Sequence, residues 1–328
     1  MLAFGHEPWL DDCLTAVAAQ ADEVVIVDNG SAHADVLLAW EGRTGVVVVR
    51  PGTNLGYAGG CNAGAQAATG TTIVFVNSDA VVQPGALAAL DAAVAEPVVG
   101  LACASIRLAD DPTRLNTAGN PLHYVGLVWA GHFGELAEEH AVPGDVATIT
   151  GATFAVRAGV WRSLGGFPEE WFAYHEDSHL SVLAWQRGLT VRYEPAAVAH
   201  HHYEFSRNLQ KSYLLERNRL LNLLTLYQLR TLLVLLPALL LFELLTLALS
   251  VKEGWLVEKL RGYAWIARHR GVIREHRRWA QRQRTRSDRD LAPMWASRLT
   301  FVNMTAPPGF GLLNALLAGY WRMARPLL

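Results

Sequence analysis

EVVIVD, Glu23–Asp28, is an apolar run closed by a carboxylate, and it belongs to a series that alternates in kind. Periodicity predicts a helix over Pro8–Gln20, a strand over Glu23–Asp28, a strand over Val46–Arg50, a helix over Gly59–Ala68 and a strand over Thr72–Asn77. Strands alternating with helices imply a parallel sheet carrying helices on its faces. Leu2–Phe4 reads as the tail of a first strand, so the start at Met1 is expected to cut that strand short. The opening MLAFGHEPWLDDCL has no basic start, long apolar core or small-residue cleavage site, so no signal peptide is expected.

In sheets of this kind ligands bind beyond the carboxyl ends of the strands. Three polar turns fall there: DNGS at Asp28–Ser31, NLGYAGGCNAG at Asn54–Gly64 and NSDA at Asn77–Ala80. Each has an ordinary structural role open to it. Asn-Gly tolerates positive φ, the glycines of NLGYAGG suit a helix start without making GxGxxG, and Asp79 can cap the helix that Pro84 and Gly85 announce. Together they are expected to line one crevice.

Charge divides the chain. Residues 1–200 carry 22 Asp and Glu against 8 Lys and Arg, and residues 201–328 carry 8 against 20, so the two parts are expected to have different partners. The three cysteines, Cys13, Cys61 and Cys103, have no CxxC spacing and cannot all pair, which fits a reducing compartment and no zinc site.

VVIVDNGS, NLGYAGGCNAGAQAATGTTIVFVNSDA and GATFAVRAGVWRSLGGFPEEWFAYHEDSHL, in this order and spacing, resemble the inverting family 2 glycosyltransferases of GT-A fold, within them the bacterial rhamnosyltransferase-like branch. The resemblance covers about residues 1–205. It implies an α/β fold with a mostly parallel sheet flanked by helices, and a catalytic domain over 1–207. It also implies a nucleotide-sugar donor, a divalent metal (Mg2+ or Mn2+) and transfer of one sugar with inversion.

By the same resemblance Asp79 ends a DxD-like signature and binds the metal on the donor diphosphate, with Asn77 in place of the first acid. One carboxylate can suffice, because Mg2+ commonly takes one or two together with phosphate and water. Asp28 is expected on the pyrimidine base, and Asn54, Gly56 and Asn62 beneath the nucleotide. The family often has Arg where Cys61 stands, which removes one phosphate contact.

WFAYHEDSHLSVLAWQRG contains Leu180, Leu183 and Ala184 at helical spacing, so a helix starts near Asp177 with Glu176 and Asp177 in its first turn. Acids there are ordinarily dipole-favoured. Trp171, Phe172 and Tyr174 beside them would remove water and raise the carboxylate pKa toward neutrality. The resemblance makes Asp177 the general base, with Glu176 as its neighbour, and His179 stands where the family's ED-x-D has its second acid. In EPAAVAHHHYEFSRN it implies a metal- or phosphate-facing histidine: spacing from Pro195 favours His201, with His200 and His202 as alternatives.

Residues 208–328 read as a helical extension. KSYLLERNRLLNLLTLYQLR suggests an amphipathic helix, and Thr231–Val251 is apolar and long enough to span about 30 Å of hydrocarbon, with Glu243 and Pro237 inside it. A buried helical hairpin is the ordinary alternative. The basic stretch Lys259–Asp290 follows, and anionic membrane lipids are its expected partner in preference to nucleic acid. A single span would place that charge against the positive-inside rule, which a re-entrant or interfacial arrangement avoids. Phe310–Trp321 would complete the apolar layer or return as a second short element. The expected location is the cytoplasmic face of the cell membrane, and the expected acceptor a lipid-linked or cell-surface glycan.

EHRRW, Glu275–Trp279, resembles the QxxRW of processive synthases but follows the apolar segment, so single-sugar transfer is the expectation. The competing readings are a processive synthase, a polyprenyl-phosphate glycosyltransferase, and an inactive nucleotide-sugar-binding scaffold.

Overall fold

The computed structural model describes residues 1–202, 210–300 and 309–328. In chain order the elements are β1 (Leu2–Gly5), α1 (Leu10–Ala18), β2 (Val24–Ser31), α2 (Ala34–Trp40), β3 (Val46–Val49), α3 (Gly56–Ala67), β4 (Thr72–Val76), β5 (Ala80–Val82), α4 (Ala86–Ala95) and β6 (Val99–Leu108). There follow β7 (Leu115–Thr117), β8 (Leu122–His123), β9 (Gly144–Asp145), β10 (Thr153–Arg157), α5 (Ala158–Leu164), α6 (Glu176–Gln186) and β11 (Thr190–His201). The last are α7 (Lys211–Leu226), α8 (Leu229–Lys252), α9 (Leu256–Arg268), α10 (Arg270–Gln283), α11 (Asp288–Leu291), β12 (Trp295–Ala296) and α12 (Phe310–Ala324).

They form two compact units. The first comprises residues 1–120, 130–184 and 189–205, and the second 121–129, 185–188 and 206–328. The boundary expected at 207/208 lies outside the described residues.

In the first unit β1, β2 and β3 form a parallel sheet in which Val24–Val27 lie opposite Val46–Val49. The larger sheet runs β4-β10-β6-β11-β5, with β7 on β6 and β9 on β11. It corrects the expectation of a mostly parallel sheet: β6 and β11 are parallel, but β10 is antiparallel to both β4 and β6, and β5, β7 and β9 also pair antiparallel. The helix-linked alternation stops after β6, which α4 joins to β5. β10 enters between β4 and β6 from a long, mostly irregular excursion, and nothing then requires its direction to match theirs.

The core of this unit includes Leu14, Ile26, Val76, Leu90, Val94 and Ile106, all 5% exposed or less. A separate cavity is lined by Val25, Gly64, Val74 and Leu87 among others, and none of the expected site residues lines it.

In the second unit α8 has two faces. Thr231, Leu235, Ala238, Phe242, Thr246 and Ser250 are buried at spacings of three and four. Leu229, Leu233, Leu236, Leu240, Leu244 and Leu249 are exposed. Glu243 lies within this apolar helix because its carboxylate faces buried cations: Arg219 pairs with it, Lys259 Nζ is 3.2 Å away and Tyr263 donates to it at 2.5 Å. Lys259 also pairs with Glu216.

The EHRRW stretch lies in α10, where Arg277 Nη1 donates to Leu224 O at 2.6 Å and to Tyr227 O at 2.8 Å. Gln281 and Arg284 donate to Leu226 O. These side chains satisfy carbonyls that the end of α7 leaves without helical partners.

Candidate active site

The polar turns are knitted together by amides. Asp28 closes on its own turn, Oδ1 accepting from Gly30 N at 3.2 Å and Ser31 N at 3.1 Å, while Oδ2 is 4.0 Å from Arg50 Nε. The next residue, Asn29, is 2% exposed. Its Nδ2 donates to Asn54 Oδ1 (3.0 Å) and Gly56 O (3.1 Å), and its Oδ1 accepts from Leu55 N (2.8 Å). Asn54 Oδ1 also accepts from Gly56 N at 2.8 Å. Asn29 thus ties the end of β2 to the start of α3, a role concealed in the sequence because Asn-Gly already explains a turn.

α3 starts against the loop that precedes α6. Gly56 has φ +70°, and a Cβ there would come within 2.3 Å of Phe172 O. Ala58 N donates to that same oxygen at 3.0 Å. Gly60 is needed for packing too, since a Cβ would meet Leu2 Cδ1 at 2.3 Å. Asn62 reaches the other end of the loop, with Nδ2 donating to Phe167 O (2.8 Å) and Oδ1 accepting from Phe167 N (3.0 Å). Cys61 is buried, which pushes its thiol up to about 12.

Phe172, Tyr174 and His175 all have positive φ, between 64° and 69°. Such backbone costs about 1–2 kcal/mol per non-glycine residue and persists where the surroundings enforce it. Here it delivers Glu176 and Asp177 to the first turn of α6. Asp177 is partly buried, its Oδ1 accepting from Ser178 N at 2.6 Å and its Oδ2 from Gly151 N at 3.1 Å. Desolvation raises its pKa to about 6, and the two backbone donors limit the rise. Glu176 is 5% exposed, and its Oε2 has no hydrogen-bond partner among the described residues. Burial first, and the adjacent Asp177 second, hold its carboxyl well above the usual range. His179 is buried edge-on to Trp171, their centroids 5.1 Å apart.

Asp79 follows β4, whose neighbour β10 begins just after Gly151. Asn77 N donates to Ala152 O at 2.8 Å, so the Asp79 turn is bonded next to the segment that holds Asp177. Asp79 Oδ1 lies 3.1 Å from His201 Nε2, and His201 Nδ1 lies 3.3 Å from Asn116 Oδ1. Neighbours on a strand point to opposite faces. His200 accordingly meets Gln83, 3.4 Å from its Nδ1, and the ring of His202 stacks on Trp9 at 3.6 Å. Of the three, the structure puts His201 on Asp79. Asn116 and Gly151 were not legible as site residues, because their partners lie 85 and 26 positions away.

The turn after β2 and the start of α3 join the loop that leads into the desolvated Glu176–Asp177 pair, and the Asp79 turn is bonded beside the segment that holds Asp177; together they form a GT-A-like glycosyltransferase domain. Residues 1–165 match the family described as Glycosyl transferase family 2. That is half of the chain, and the chain belongs to this family. GalNAc-T7, in its crystal structure with UDP, GalNAc and Mn2+, is similar in fold, with a TM-score of 0.57 at 15% identity over 70% of this chain and 48% of that one. The Pyrobaculum calidifontis mannosyltransferase PcManGT, in complex with GDP-Man and Mn2+, gives a TM-score of 0.49 at 16% identity over 99% of this chain and 82% of that one. Among curated proteins, a Sinorhizobium fredii (strain NBRC 101917 / NGR234) chain described as uncharacterized protein y4gI is 27% identical over 199 residues. The match covers 56% of this chain but only 22% of that protein's length.

Proposed function

We propose that this chain transfers a single sugar, with inversion, from a nucleotide-sugar donor to a hydroxyl of a lipid-linked or cell-surface glycan, with Asp177 as the general base. The observation that carries this reading is the placement of the carboxylate pair at the first turn of α6, Asp177 held by Gly151 N and Ser178 N beside the buried Glu176. Burial raises the Glu176 carboxyl well above its usual range and brings Asp177 to about 6, near the operating pH that suits a base. Asp177 would take the acceptor proton as that oxygen attacks the anomeric carbon and the nucleoside diphosphate departs. Asp28 and the Asn29-bound start of α3 would hold the nucleotide. On the motif resemblance, dTDP-rhamnose is the first donor to try.

Asp79 and His201 fit a divalent ion: a carboxylate oxygen and an imidazole nitrogen 3.1 Å apart at the mouth of β5 and β11. The imidazole favours Mn2+ over Mg2+, which prefers oxygen alone. When bound, such an ion supplies charge neutralisation on a leaving diphosphate. The fold-alike GalNAc-T7 holds Mn2+ alongside UDP, which agrees with this assignment.

We place the protein at the cytoplasmic face of the cell membrane. Among the described residues, α8 is the one helix long and apolar enough to cross a bilayer. Its face packed within the second unit and its exposed leucine face favour lying in the interface over spanning it.

Calorimetry with a nucleotide sugar tests the division of labour. Asp79→Ala should weaken metal-dependent donor binding as well as turnover. Asp177→Asn should keep donor affinity while transfer falls by roughly 10² to 10⁴. Retained transfer in Asp177→Asn would remove it as the base and move the role to Glu176.

A further inference from the structure

Three side chains of the first unit, of types that commonly ligate metals, stand outside the candidate site described above. His132, Glu135 and His140 bring one ligand atom each to within 4.8 Å of one another. Glu135 Oε2 is 3.0 Å from His132 Nδ1 and 2.7 Å from His140 Nε2, and the two rings are 4.0 Å apart. Donors at about 2.0–2.2 Å from one ion stand roughly 3.3–3.6 Å from each other in tetrahedral geometry. The two histidine–carboxylate separations are a few tenths of an ångström shorter than that, so small side-chain rotations open the three donors around one ion.

The backbone sets this convergence. His132 has φ +60°, a conformation few non-glycine residues adopt. Glu135 N donates to His132 O at 3.1 Å, Leu115 N to Glu135 O at 2.9 Å, and Gly134 N to Leu115 O at 2.8 Å. At the far end Tyr193 Oη donates to His140 O at 3.1 Å. The three side chains are therefore presented from segments fixed to the sheet.

We propose that His132, Glu135 and His140 form a binding site for a borderline divalent ion of the Zn2+ type, separate from Asp79 and His201. Two imidazoles and one carboxylate are a zinc donor set, and a fourth position opens to water because all three side chains are partly exposed. Two imidazoles disfavour Mg2+ and Ca2+. The ion would clip the turn at His132–Glu135 to the short helix Ala137–His140. Gly134 and Glu135 of that turn bond to Leu115 of β7, and β7 carries Asn116, the neighbour of His201. The site would thus brace the strand that orients a residue of the donor pocket.

The test is a Co2+ titration of the metal-free full chain, followed by visible absorption and then by Zn2+ competition. The Asp79→Ala variant should bind one Co2+ with the intense absorption of a tetrahedral ion, as the parent does. His132→Gln combined with His140→Gln should weaken binding at that site by more than about 10²-fold, beyond the 10- to 100-fold typical of losing an outer partner. Glu135→Gln, which keeps both imidazoles, should fall between. Circular dichroism of the metal-free variants should match the parent, since the side chains changed are partly exposed. An unchanged titration in the double histidine variant, or loss of the tetrahedral band in Asp79→Ala alone, would overturn the proposal.

Discussion

Asp177 illustrates how much one side chain takes from its backbone surroundings. Its pKa of about 6 lies above the ordinary aspartate value, so the sign of its pH effect is fixed. Below about pH 4 both folded and unfolded states keep the proton and the group contributes nothing. Between about 4 and 6 the unfolded state ionises while the folded state retains the proton, so stability falls as pH rises; above about 6 the full penalty applies. Asp177→Asn should therefore be more stable than the parent at pH 8, by at most about 3 kcal/mol, and gain nothing at pH 4, as urea titrations at the two values would show. Single-turnover transfer by the parent should rise with pH and level off above about 6. The sequence displays the carboxylate and the aromatics around it, but Gly151 N, which tempers the shift, lies 26 positions away and has no side-chain signature. Asn29 was hidden differently: a good turn residue gives no sign that its amide also crosses to another loop.

At the scale of elements, periodicity read the first half of the catalytic unit well, and chain direction in the second half poorly. α1, β2, β3, α3 and β4 fall close to the segments that alternation predicts. α2 carries too short a pattern to register, and the antiparallel entry of β10 depends on a long irregular excursion that has no period at all. The joint between α3 and the loop before α6 was equally invisible, because its key contact is a carbonyl. Gly56→Ala tests that joint. The new Cβ would meet Phe172 O at 2.3 Å with φ held at +70°, so the loop or the helix start must shift. A loss of about 1–3 kcal/mol is expected from chemical denaturation, together with a drop in transfer, because the displaced loop leads directly into the first turn of α6, where Asp177 lies. Stability and transfer both near the parent's would mean that the loop yields without moving the carboxylate.

For the whole molecule, the proposed attachment to a membrane surface falls to the second, more basic unit. Fractionation of the full chain should leave it with anionic vesicles, and Leu233→Glu, Leu240→Glu and Leu244→Glu together should release it, since all three residues are exposed on α8. Binding that 1 M salt abolishes in the parent would assign the attachment to charge alone. The proposed seating of the leucine face of α8 in a lipid surface has a kinetic consequence as well. An enzyme seated in a lipid surface meets a lipid-borne acceptor by lateral diffusion, in two dimensions. Its rate then follows the mole fraction of acceptor within the surface instead of the bulk concentration, and diluting the acceptor with inert lipid slows turnover even though the number of acceptor molecules in the tube is unchanged.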